Sequence, residues 1–221
     1  MPIDTSDRMS TSLVPRTVVF LMMFAGALVA GDGGAVLRDL TLHRCMSADP
    51  RPGTASSEEK VAERMFVRFV SCVAVRLDHD RRSCNRLTSE ALQQLYQIND
   101  MYEDGRSFLE TSELARKIAA PKSGWILLGK AENQRALREA KKQVESGNPT
   151  VAVLLNANGE GHVAIILPGD LQRSPKWNDV LTPNSASFPH TTPTQSFIGC
   201  KLSYAFPTPK GVAMYYRPKA N

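Results

Sequence analysis

Two residues of this chain have the type and setting for nucleophilic chemistry, Cys84 and His162. Cys84 lies in Arg81-Arg82-Ser83-Cys84-Asn85-Arg86-Leu87, just where an apolar periodicity begins. Leu87, Ala91 and Leu95 recur every fourth residue, with Leu92 and Tyr96 beside them, which predicts a helix from Cys84 to Ile98. A cysteine at a helix start feels the positive end of the peptide dipoles and nearby unsatisfied N–H groups, and both favour the thiolate. Its own backbone N–H could donate to an oxyanion on a substrate carbonyl. Arg81 and Arg82 add positive potential. Position alone still favours a buried structural cysteine or half of a disulfide.

His162 opens an apolar run, His162 to Leu167, directly after Gly161. Strand alternation puts His162, Ala164 and Ile166 on one face and Val163, Ile165 and Leu167 on the other. A histidine at a strand entrance can hold its imidazole at the edge of a cleft. Facing a cysteine on a helix start, it would take the thiol proton and return it to a leaving amine. A satisfied core or surface histidine is the plainer alternative. His43 lies near the N-terminal segment, His79 in a charged loop and His190 in a Pro/Thr-rich loop, so they are poorer candidates.

A base histidine needs an orienting group. Asn184, in Thr182-Pro183-Asn184-Ser185-Ala186-Ser187-Phe188, follows the histidine and has a side-chain carbonyl that could accept from the imidazole. An ordinary turn residue after Pro183 is an equal alternative. Asp170 and Asp179 are fallback orienters. The other cysteines are Cys45, Cys72 and Cys200, and no two of the four form a C-x-x-C pair. Cys72, Asp78, His79, Asp80 and Cys84 cluster without a familiar zinc spacing, so no metal site is expected. A G-x-S-x-G elbow and a phosphate-cradling glycine loop are both missing from the sequence.

The elements that must position these groups are readable in outline. Val61 to Val75 has ambiguous periodicity. Thr111 to Ala119 predicts a short helix ended by Pro121, and Trp125 to Leu128 is a brief apolar segment. Ala131 to Glu145 predicts a helix stopped by Ser146-Gly147-Asn148-Pro149. Val151 to Leu155 and His162 to Leu167 predict a hairpin, closed by Pro168-Gly169. Residues 170–198 read as loop-rich, and Lys201 to Phe206 and Val212 to Tyr216 as further strands. Helices first and an antiparallel sheet after indicate an α+β fold.

The whole chain sets wider bounds. Its 221 residues are 42% hydrophobic and 22% charged, the make-up of a globular protein. The formal charge of +5 favours anionic partners, yet no basic run of the length of a nucleic-acid arm occurs. Arg16 precedes an apolar run from Thr17 to Ala30 that is too short to span a bilayer and ends in small residues and glycines. This predicts an export signal over residues 1–30, a Ser/Pro/Gly-rich linker over 31–60 and one domain over 61–221, in a disulfide-permissive compartment.

These pieces resemble a known family by their order. Ser83-Cys84-Asn85-Arg86-Leu87 opens a helix, and Trp125 and Gly129 follow. Then come Gly161-His162-Val163-Ala164-Ile165-Ile166-Leu167-Pro168-Gly169, Pro183-Asn184-Ser185-Ala186-Ser187 and a closing Tyr215-Tyr216-Arg217. Over roughly residues 80 to 217 the chain resembles bacterial cell-wall hydrolases of the NlpC/P60-like, papain-like superfamily. It looks closest to the branch that includes type VI secretion amidase effectors. The resemblance implies a papain-like fold, with Cys84 as nucleophile, His162 as base and a polar third residue near Asn184. It implies cleavage of an amide bond in peptidoglycan stem peptides through a thioester, with no cofactor, by a monomer that an immunity protein could inhibit. Many family members carry the third residue on the strand after the histidine strand, a stretch that reads here as proline-rich loop. A non-catalytic exported binding protein on the same scaffold, with Cys84 oxidised or buried, and a papain-like acyltransferase are the alternatives.

Overall fold

A computed structural model describes residues 81–103, 107–189 and 195–219, together with the helical positions 64, 67 and 68. The expected leader and linker, and the ambiguous stretch around Val61 to Val75 apart from those three positions, lie outside the described residues. So do Cys45, Cys72, His43, His79 and His190.

A 3-10 turn, Arg81–Arg86, leads into α1, Leu87–Tyr96. The expected helix from Cys84 is therefore two structures, and Cys84 sits inside the tighter turn rather than at the α-helical start. Arg86 occupies the N-cap of α1 and gives no side-chain cap. Gln97 takes the left-handed conformation (φ 54°) and ends α1. A small hairpin follows, β1 (Tyr102–Glu103) with β2 (Ser107–Phe108).

α2, Thr111–Ala119, matches its expected bounds. Its start is fixed by a reciprocal box in which Glu110 and Glu113 each accept from the other's backbone N–H. After β3 (Ile126–Lys130), α3 runs Gln134–Glu145. It starts three residues later than its apolar stripe suggests. Asn133 is its N-cap, with a side chain that accepts from the Arg135 N–H at 2.9 Å.

β4 (Thr150–Leu155) and β5 (Gly161–Ser174) form the expected hairpin, but β5 runs on through Pro168-Gly169 for 14 residues. β6 (Val180–Ser187) occupies the stretch expected to be loop, and β7 covers Phe197–Lys201. Residues expected to start another strand, Leu202–Tyr204, form a 3-10 turn instead. β8 (Ala213–Tyr216) completes the set. The main sheet has six antiparallel strands in the order β3-β8-β4-β5-β6-β7, so the last strand inserts beside β4.

The fold is thus α+β, with helices on both faces of an antiparallel sheet. Val151, Val153, Val163, Ile165 and Leu167 pack with Leu92 of α1 and Leu114 and Ile118 of α2. Ala152, Ala164 and Ile166, the alternate positions, pack with Leu137, Ala140 and Val144 of α3. Strands buried on both faces lose the polar alternation of a half-exposed sheet, which is why β4 and β5 read as continuous apolar runs. Burial also pushes the Tyr215 phenol above its usual range.

Candidate functional site

The two faces of the sheet come together at the β4–β5 turn. A cavity of about 450 Å³ opens there. Asn85 lines it from the 3-10 turn, Thr111 and Ser112 from the first turn of α2, and Glu160 and Gly161 from the β4–β5 turn. His162, Ser187 and Phe206 line it from the α3 side.

The approach to His162 is set by close packing. Gly161 has no side chain, and a Cβ there would lie 2.5 Å from the Ala115 Cβ and 3.4 Å from the Leu154 carbonyl. Only glycine lets the start of β5 lie this close to α2. The Gly161 N–H then donates to Ser112 Oγ at 3.1 Å, which ties the strand entrance to the helix start.

The imidazole is held on two sides. Phe206 meets it edge to face, with ring centroids 5.3 Å apart and planes at 67°. Phe206 is itself fully buried, and its carbonyl accepts from the Trp177 indole N–H at 3.3 Å. His162 Nε2 lies 2.8 Å from Ser187 Oγ, a hydrogen bond. Ser187 is the last residue of β6 and is buried.

Asn184, the expected orienter, points away from this site. It pairs across from Leu167, whose side chain belongs to the α1–α2 face. Ser187 stands three residues further on, an odd offset in a strand, and so reaches the opposite face. The Asn184 Nδ2 donates to the Pro168 carbonyl at 3.1 Å, and its Oδ1 accepts from the Gln172 amide. It lies over Gly169 (φ 127°), where any Cβ would collide with its amide. Asn184 is a clamp across the bulge in β5, where the pairing jumps from Leu167 to Gln172. Asp179 pairs with Arg173 and Asp170 is exposed on β5; neither lines the cavity. Ser187, which the sequence reading passed over, takes the position at the imidazole. Its signal was available: a polar residue on the strand after the histidine strand, hidden by the proline-rich look of β6.

Cys84 is 1% exposed and packs in the α1–α2 core, and it does not line the cavity. Its neighbour Asn85 does. The segment is anchored there: Thr111 Oγ1 donates to the Asn85 carbonyl at 2.8 Å and Ser89 Oγ to the Leu109 carbonyl at 2.7 Å. Both cysteines among the described residues, Cys84 and Cys200, are disulfide-bonded. A disulfide sulfur carries no proton for a histidine to take and no thiolate charge. In this oxidised state Cys84 is a half-cystine, the alternative that its position favours.

Among the described residues, no group of His, Cys, Asp or Glu side chains is placed to hold a metal ion, and no helix is long and apolar enough to cross a membrane. No protein-family model, curated protein or solved structure matches this chain.

Proposed function

We propose that the chain is a papain-like cysteine hydrolase of the cell wall, acting on an amide bond of peptidoglycan stem peptides when Cys84 is reduced. The observation that carries this reading is the held imidazole: His162 is fixed by Ser187 and Phe206 at the wall of a cavity that also takes in the residue next to Cys84. With the proton on Nε2 shared with Ser187 Oγ, the Nδ1 lone pair is the base. The step requires that reduction let Cys84 turn from the α1–α2 core toward the cavity that Asn85 lines; Nδ1 then takes the thiol proton, and the thiolate attacks the scissile carbonyl. The imidazolium then protonates the leaving amine, and water hydrolyses the thioester in a second step. Ser187, on the strand after the histidine strand, fills the orienting role in place of Asn184. The net positive charge suits a substrate within an anionic wall, and an exported hydrolase fits the apolar N-terminal segment.

The disulfide at Cys84 favours a second reading, an exported binding protein whose cavity holds a ligand without cleaving it. The two readings part under reduction. Purified muropeptides are incubated with the protein before and after treatment with a dithiol, alongside Cys84→Ala. The hydrolase reading expects turnover only after reduction, with none in Cys84→Ala although that variant still melts cooperatively. Undiminished turnover in Cys84→Ala removes Cys84 as nucleophile. A reduced, folded wild-type protein that binds muropeptides and leaves them intact establishes the binding protein.

A further inference from the structure

Ser185 and Ser187 are buried hydroxyls on the same strand with different partners. Ser185 Oγ donates to the Cys200 carbonyl at 3.2 Å, the ordinary arrangement for a buried serine. Ser187 Oγ bonds to the imidazole Nε2 of His162, at 2.8 Å, and to no other group among the described residues. A neutral imidazole has two tautomers. With the proton on Nε2 the ring donates and Ser187 orients it, as the Cys84 chemistry requires. With the proton on Nδ1 the direction reverses. The Ser187 hydroxyl then donates to Nε2 and keeps its lone pairs for attack. A hydroxyl within roughly 2.6–3.2 Å of a histidine base has the geometry of an activated nucleophile.

The surroundings suit a small acyl group. Ser187 and His162 both line the cavity of about 450 Å³. Small-ligand sites are on the order of 300–1,000 Å³. Leu154, Phe188 and Phe206 give the lining apolar surface. Tyr204 adds a phenolic O–H that forms no hydrogen bond among the described residues. It is a donor for negative charge building on a carbonyl oxygen. Ser187 is 1% exposed, so only a carbonyl held inside the cavity reaches it.

We infer that Ser187 and His162 form a nucleophile–base pair in their own right, giving the oxidised protein a serine esterase activity on esters of short apolar acyl groups. Nε2 takes the Ser187 hydroxyl proton as Oγ forms a bond to the ester carbonyl carbon. The tetrahedral intermediate collapses by breaking the bond to the alkoxide, which takes the proton from the imidazolium and leaves as the alcohol. Water attacks the acyl-serine and gives a proton to Nε2. The acid departs as Ser187 Oγ recovers that proton. The sum is ester plus water to acid plus alcohol. A hydroxyl is a weaker nucleophile than a thiolate, and an ester is more readily cleaved than an amide, so the ester is the matching substrate class. None of these steps involves Cys84.

The test uses the full oxidised chain, with any remaining thiol capped by iodoacetamide so that no cysteine takes part. A fluorophosphonate is added and the labelled peptide identified by mass spectrometry, and hydrolysis of p-nitrophenyl butyrate is followed in parallel. The expected result is one phosphonyl group per chain, on Ser187, with ester turnover that the label abolishes. The labelled position is read on the wild-type chain, so it does not depend on a variant folding. Ser187→Ala, checked for a cooperative melt, is expected to lose ester turnover about 100-fold or more, the scale of removing a catalytic group. A serine that only orients the ring would cost roughly tenfold or less, the worth of one hydrogen bond. No label, a label on another residue, or a loss in Ser187→Ala of about tenfold or less overturns the pair. The proposed muropeptide turnover needs reduction and this ester turnover does not, so either reading can fail while the other stands.

Discussion

Asn184 and Ser187 sit three residues apart on β6 and serve opposite faces of the sheet. Asn184, on the α1–α2 face, closes the β5 bulge through Pro168 and Gln172. Ser187, on the α3 face, meets His162. Both are buried, polar and fully engaged, so chemical type does not separate a structural role from a functional one. The partner separates them. One bonds to groups that only hold the chain in place, and the other bonds to a titratable ring on a cavity wall. The same contrast runs through the two faces. The α1–α2 face holds Cys84 in a disulfide within the core, and the α3 face sets an imidazole in a cavity wall. The proposed chemistry needs a reduced Cys84 to reach the cavity at the β4–β5 turn, where residues of both faces already meet.

The largest effect that would sharpen this comparison is at His162. His162→Ala in the reduced protein is expected to lower turnover of muropeptides roughly 100- to 10,000-fold, the usual loss on removing a general base. Its melting temperature should stay near the wild-type value, because the ring lies at the cavity wall rather than in the middle of either core. Activity retained in His162→Ala would end the division between the faces.

The strand entrance comes next. Gly161→Ala forces a methyl group against Ala115 and is expected to cost about 1–3 kcal/mol of stability, as overpacking does. Activity should fall with it, since the added methyl displaces the residue just before the base. Asn184→Ala makes the counterpart on the other face. It leaves the Pro168 carbonyl and the Gln172 amide without a partner and is expected to cost about 1–3 kcal/mol in urea denaturation. Its kcat in the reduced protein should be that of the wild type. A large fall in kcat for Asn184→Ala at unchanged stability would restore it as the orienter.

Why the histidine was legible and its partner was not has a physical reason. α2 could be read because its stripe, its capping box and the following proline agree on one element. His162 could be read because a hairpin with two-sided burial leaves an apolar run, and a polar residue at its entrance stands out. β6 could not, since Pro183 and a run of small polar residues carry the local signature of a turn. Pro183 is tolerated because it falls in the gap of the β5–β6 pairing, between Thr182 opposite Gln172 and Asn184 opposite Leu167. Pro168 is tolerated inside β5 at the same interruption. The strand exists because β5 and β7 bracket it and supply backbone partners that no local pattern announces. The oxidation state of Cys84 is likewise a tertiary fact, since four cysteines allow three full pairings and sequence does not choose among them.

The smallest effect tests the assignment that the structure changed. Ser187 contributes one hydrogen bond to the imidazole, and such a bond is worth about 0.5–1.5 kcal/mol net. Ser187→Ala in the reduced protein is therefore expected to lower kcat roughly two- to tenfold, with KM unchanged. A packing defect from removing a buried hydroxyl would act on stability instead. Ser187→Thr separates the two: it restores a hydroxyl at the imidazole, so kcat should recover even where the extra methyl costs some stability. If Ser187→Ala and Ser187→Thr lose stability in step and leave kcat alone, Ser187 is only another clamp like Asn184. The two faces of β6 would then differ in geometry but not in function.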